Sequence, residues 1–175
     1  DRGNGWTFKE TEVLRLAKGE LCSIYEGFTI ANHSFSHPHL EQLPLDEAKS
    51  EIIDNRKILQ DIFGQPIKGF AYPFGSYDES VIEIIKSAGH SYARTVKNIT
   101  PSFPPKDPFE FHPSCHFLSK DFWSIYDASK EGGVFYFWGH SYEMINQEMW
   151  TDFEGNIKKM NDDSDSEWAD LEKLF

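Results

Sequence analysis

Along the chain, apolar residues alternate between the spacing of strands and the wider spacing of helices. In TFKETEVLRLAKGE, Val13, Leu14 and Ala17 fall on one side, with Thr7 or Thr11 as cap, so a short helix is expected. GFTIAN reads as a buried strand that ends at a group of histidines. From Pro44 to Phe63, Leu45, Ala48, Ile52, Leu59 and Ile62 keep helical spacing; Gly64 closes the helix and Pro66 prevents its continuation. IKGFAYPFG is the next strand, stopped by Pro73 and Gly75. Asp78 caps a helix whose stripe is Val81, Ile84, Ile85 and Ala88, with Gly89 at its end.

HSYARTV is again strand-like, and a loop holding Pro101, Pro104, Pro105, Pro108 and Pro113 follows. SKDFWSIYDASKEGG predicts a helix ending at Gly132–Gly133, and VFYFW, the most β-prone run, ends at Gly139–His140. Met149, Phe153, Ile157 and Met160 mark a further helix, and EWADLEKLF starts a last one after an acidic loop. Strands alternating with helices imply an α/β fold with a mostly parallel sheet, whose ligands gather at the C-terminal strand ends. The polar clusters His33–His39, Tyr72–Tyr77 and His140–Glu143 all follow strands, which points to one site.

Length and charge narrow the functions. A chain of 175 residues suits one domain with one ordinary core. Seventeen Lys and Arg against 29 Asp and Glu give a formal net charge of −12, which argues against a nucleic-acid partner. No basic run marks an anionic membrane surface, no apolar run reaches the length of a membrane span, and no signal peptide is visible. Cys22 and Cys115 allow at most one disulfide and no zinc-finger spacing. The chain starts at Asp1 rather than Met, so an upstream portion is expected.

The clusters carry distinct chemistry. His33 and His37 are candidate metal ligands, although Pro38 pushes His37 away from helical geometry; a turn after a strand would have to converge the two rings. Imidazole suits zinc, cobalt, nickel or iron. The alternative is a chance surface grouping, and His39 reads as a solvated or capping residue. In AYPFGSY, the Tyr-Pro step and Gly75 force an irregular turn that could aim backbone N–H groups at an oxyanion, or simply join strand to helix. His140, emerging after Gly139, is of the residue type best suited to general acid or base work, or else it is structural. Trp138, Tyr72 and Tyr77 are candidate substrate-stacking rings and equally candidate core residues.

In this order, the clusters resemble the polysaccharide deacetylase family, that is, the NodB-homology domain of carbohydrate esterase family 4, from about Trp6 to Trp150. NHSFSHPHL is similar to the family's H-[ST]-x-x-H metal motif, FAYPFGSYD to its R-x-P-[FY]-G-x-[YN] motif, and VFYFWGHSYE to its last, histidine-ending motif. The resemblance implies a distorted (β/α) barrel and metal-dependent removal of N-acetyl or O-acetyl groups from an acetylated carbohydrate. It implies His33 and His37 as ligands of a divalent metal, most often zinc with cobalt or nickel as alternatives. It further implies the Phe74 backbone N–H as an oxyanion donor and His140 as the acid that protonates the leaving amine. The family's usual setting favours an extracytoplasmic or cell-envelope location.

Two departures accompany the resemblance. Ala71 stands where the family usually has an arginine, and no T-F-D-D-G motif precedes the histidines. The only Asp–Asp pair, Asp162–Asp163, lies in an acidic loop. The expectation is therefore a single deacetylase-like domain over 1–175, incomplete at its N-terminus and missing its first strand or strands. The third metal ligand and the base would then be aspartates upstream of Asp1. The competing readings are a non-catalytic carbohydrate-binding relative and a metal hydrolase of another acyl substrate.

Overall fold

A computed structural model describes residues 5–99, 105–131 and 133–175. The first described element is a hairpin, β1 (Trp6–Phe8) against β2 (Thr11–Val13), registered Trp6↔Val13 and Phe8↔Thr11. This corrects the expected first helix. Lys9 and Glu10 take positive φ, 44° and 67°, as a two-residue hairpin turn requires. The aromatic and β-branched residues beside that turn favour strands. Only the end of the stretch is helical: a 3-10 turn at Lys18–Glu20 leads into α1 (Leu21–Ile24).

The frame is parallel. β3 (Ala31–Asn32), β4 (Gly69–Ala71) and β5 (Tyr92–Arg94) pair in that order, with Asn32↔Phe70 and Ala71↔Arg94 in register. A parallel bridge joins Arg94 to Phe111, and β6 (Cys115–His116) pairs with β7 (Phe137–Trp138). The α/β class with parallel strands is thus present. The strand read at GFTIAN is shorter and less buried than expected, because Phe28 is exposed and regular pairing covers only Ala31–Asn32. β6 was not anticipated, since its short polar CH pair carries no periodicity. Pro101, Pro104 and Gly132 lie outside the described residues.

The long helices follow their sequence signals. α2 (Leu45–Phe63) ends at Gly64, whose φ of 64° is the left-handed cap that glycine favours. It buries Ala48 and Ile52 against Phe70 and Tyr72. In α3 (Glu79–Ser87), the Asp78 carboxylate accepts the Val81 N–H at 2.9 Å, and Val81, Ile84 and Ile85 join the same core. A second core gathers Cys115 of β6, Phe122 and Tyr126 of α4 (Phe122–Ser129) and Met160 of α5 (Gln147–Asn161), with Phe117 and Met144 from the loops between. The expected terminal helix is only a 3-10 turn, Leu171–Leu174. Among the described residues, no helix is long and apolar enough to cross a membrane.

Candidate active site

The parallel strands deliver their C-terminal ends to one side of the fold, and the predicted clusters follow from there. After β3, the chain turns sharply, with Ser34 and His37 at φ of 62° and 61°. Asn32 Oδ1 accepts the Ser34 N–H at 3.1 Å, and Ser34 Oγ accepts the His37 N–H at 3.0 Å. Glu51 on α2 pins the outside of the turn by accepting the Phe35 and Ser36 N–H groups at 2.9 and 2.8 Å. The turn brings the His33 and His37 rings to 4.6 Å between centroids. His33 Nδ1 lies 2.7 Å from the Ala71 carbonyl oxygen, which can only accept, so Nδ1 carries the proton and Nε2 keeps its lone pair. Burial, reinforced by His37, Arg94 and His140, outweighs the Ala71 bond and lowers the His33 pKa to about 4.

The second cluster abuts the first. Pro73–Gly75 forms a 3-10 turn in which Phe74 takes φ 57°, strained for a side chain with a Cβ. The exposed Phe74 ring stacks on His39 at 4.2 Å and meets His37 edge-on at 4.5 Å. Glu41 ties the two turns together, accepting Ser76 Oγ–H at 2.5 Å and lying 3.3 Å from His39 Nδ1. Ser76 and Gly75 donate to Pro73 and Tyr72 carbonyls, whereas the Phe74 N–H meets no acceptor among the described residues.

The third cluster ends β7. His140 lines a cleft of roughly 450 Å³ with Arg94, Trp138, Gly139 and Trp150. Arg94 lies with its guanidinium 5.7 Å from the Trp138 ring centre. Glu143 Oε2 lies 3.1 Å from His140 Nδ1 and 3.0 Å from His116 Nε2, and it accepts the His140 N–H at 2.7 Å. Burial would raise the Glu143 pKa, but the His140 N–H and the two histidines together hold it below the usual carboxylate value.

The structure therefore joins His33, His37 and Phe74 directly and sets His140 within electrostatic reach of His33. Trp138 lines the cleft, with its indole N–H donating to Asn98 at 2.8 Å. Tyr72 does not: it is 0% exposed, its hydroxyl donates to the Phe109 carbonyl at 2.8 Å, and burial drives its pKa far up. It is a core residue, which corrects its placement as a sugar-binding ring. Tyr77 stacks on Tyr72 at 4.4 Å and donates to Glu110 at 2.8 Å, so its ring and hydroxyl are both engaged within the fold. Sequence reasoning gave no role to Arg94, His116 or Glu143; only a charge closing the strand-like YARTV hinted at the first. Among the described residues, no third His, Cys, Asp or Glu clusters with His33 and His37.

Residues 18–93 match the family model described as polysaccharide deacetylase. The chitooligosaccharide deacetylase of Azorhizobium caulinodans is 28% identical over 65 residues, which is 37% of this chain and 31% of that protein. The peptidoglycan-N-acetylglucosamine deacetylase of Bacillus cereus is 34% identical over 58 residues, 33% of this chain and 21% of that protein. Among solved structures, the Streptococcus pyogenes deacetylase PplD in complex with acetate aligns with a TM-score of 0.47 and 24% identity, covering 50% of this chain and 39% of that one. In each comparison the chain spans less than half of the protein it matches.

Proposed function

We propose, on the premise that residues 18–93 belong to the polysaccharide deacetylase family, that the complete protein removes acetyl groups from an acetylated carbohydrate at the C-terminal ends of these parallel strands. The observation that carries this reading is the paired turn: His33 and His37 converge beside a strained Phe74. Its donors fit a divalent metal, because His33 is kept neutral by burial and its Nδ1 proton is engaged by Ala71, leaving Nε2 to ligate. A metal held by His33 and His37, zinc by preference and cobalt or nickel as alternatives, would polarise the acyl carbonyl and acidify a water molecule. Among the described residues no third ligand joins His33 and His37, and we assign the remaining ligand and the base to aspartates outside them.

The chain's own residues supply the other parts. The unengaged Phe74 N–H is the donor for an oxygen that gains negative charge as the carbonyl becomes tetrahedral. His140, with Nδ1 turned to Glu143, has Nε2 left to deliver a proton to the departing amine. Trp138 and Trp150 offer ring surface along the cleft for a sugar. We also read the parallel frame as part of a distorted (β/α) barrel whose first strand lies beside β3.

Acetate release is the test. The complete protein loaded with zinc or cobalt is expected to free acetate from chito-oligosaccharides, peptidoglycan fragments or acetylated monosaccharides. Carbohydrate binding without acetate release from any of them would instead identify a non-catalytic relative.

A further inference from the structure

We propose that Glu143 is the positioning residue for His140 and that His116 braces Glu143 from the neighbouring strand. The inference rests on the reading of His140 as the proton donor and adds the groups that aim it.

One carboxylate oxygen holds the arrangement. Glu143 Oε2 accepts the His140 N–H at 2.7 Å, lies 3.1 Å from His140 Nδ1, and lies 3.0 Å from His116 Nε2. The first two contacts fold the chain after β7 back on itself, so the carboxylate fixes the backbone and the ring of the same residue. An ionised carboxylate only accepts, so both ring nitrogens facing it are donors. His140 is thereby held with its proton on Nδ1, and Nε2 is the one nitrogen left for substrate. A ring free in its tautomer and its rotation would present that nitrogen only part of the time.

The brace follows from β6. His116 Nδ1 accepts the Leu118 N–H at 3.3 Å, which leaves its proton on Nε2, pointed at Glu143. The same bond weighs against a rival reading. The ligand atoms of His116, His140 and Glu143 lie within 4.8 Å of one another, a spacing that a cation could also bridge. A metal on His116 Nε2 would force the displaced proton onto Nδ1, against the Leu118 N–H. The hydrogen-bonded form satisfies every donor, whereas the metal-bound form sets two donors face to face.

Among the described residues, Glu143 is the one charged group in contact with the His140 ring. Tyr142 stacks on it at 4.8 Å and Trp138 meets it edge-on at 5.7 Å, while Arg94 lines the same cleft as a cation. Trp6 and Phe8 of the first hairpin meet Tyr142 edge-on at 5.4 and 5.1 Å. Stacking restrains the ring plane but cannot choose which nitrogen carries the proton. That choice falls to Glu143.

Two-bond 1H–15N correlations of the imidazoles report the tautomer directly, without activity. In the zinc-free protein near neutral pH, neutral His140 is expected as the Nδ1–H form, and Glu143→Ala is expected to shift it toward Nε2–H. In the complete metal-loaded protein, Glu143→Ala should lower kcat roughly 10- to 100-fold, the scale for losing a partner that orients a histidine, with little change in KM. Glu143→Gln keeps an acceptor oxygen and should recover part of both signals, which separates positioning from failure to fold. An unchanged His140 tautomer in Glu143→Ala would overturn the proposal, even with reduced kcat. So would a zinc equivalent that shifts the His116 and His140 ring signals together. If His140→Ala leaves kcat intact, the proton-donor reading fails on its own, and the tautomer shift still decides whether Glu143 positions the ring.

Discussion

His33 and Ala71 are joined across adjacent parallel strands: the imidazole Nδ1 donates to the carbonyl oxygen at 2.7 Å. The bond fixes which nitrogen of His33 is free, and it comes from the strand end that also leads into the Phe74 turn. It fixes the tautomer by a backbone group, so the residue at 71 can vary without losing it. Ala71→Ser is accordingly expected to leave His33 as the Nδ1–H form in 1H–15N spectra, and an Nε2–H signal would contradict this geometry.

His90 gives an acid-sensitive element of stability. Its Nδ1 donates to the Ile85 carbonyl at 3.2 Å, and its Nε2 accepts from buried Asn32 at 3.2 Å. Burial, aided by the charge of Arg56, lowers its pKa from 6.5 to about 4. The unfolded chain therefore takes up this proton below about pH 6.5 and the folded chain only near pH 4. The contribution is complete above pH 6.5 and is lost as pH falls through that window, on the order of 3 kcal/mol in all. Urea unfolding at pH 7 and pH 4.5 should show a smaller difference for His90→Gln than for the unmodified protein. Equal differences would contradict the assignment.

Tyr72 tests the boundary between core and cleft. With its ring wholly buried among Phe70, Tyr77 and Ile85, Tyr72→Ala is expected to cost about 3–5 kcal/mol in chemical unfolding, as large-to-small aromatic changes do. Tyr72→Phe loses only the bond to the Phe109 carbonyl and should cost about 1–3 kcal/mol, with KM for carbohydrate unchanged. A large rise in KM with stability intact would return Tyr72 to the binding surface.

Gly139 sets the exit from β7. A Cβ there would run into the ring of Phe117, which is buried in the second core. Gly139→Ala must displace either Phe117 or the strand end that carries His140. A loss of about 1–3 kcal/mol in unfolding free energy is expected, together with a reduced kcat. A variant as stable and as active as the parent would show that the two segments can part freely.

The parts of this fold that were legible in the sequence are those with a long periodic signal or a strong terminator. α2 and α3 ended where Gly64 and Gly89 said they would, and Asp78 caps as its position implied. The first hairpin was hidden because Lys9–Glu10 is an uncommon pair for a turn needing positive φ, and Val13, Leu14 and Ala17 mimic a helical face. His116 and Glu143 were hidden for another reason. Their partnership spans 27 residues, and neither the two-residue β6 nor the turn after His140 has a pattern that a single sequence reveals. Arg94 is the plainest case. It stands in register with Ala71, one strand over from where an arginine was expected, and only the pairing of β4 with β5 brings that to light.

Metal content measures most directly whether His33 and His37 hold the metal. The complete protein, dialysed against zinc and then against metal-free buffer, is expected to retain one equivalent. His33→Ala and His37→Ala should each lose it, whereas His140→Ala should keep it and lose turnover. Undiminished metal in both His33→Ala and His37→Ala would contradict the account.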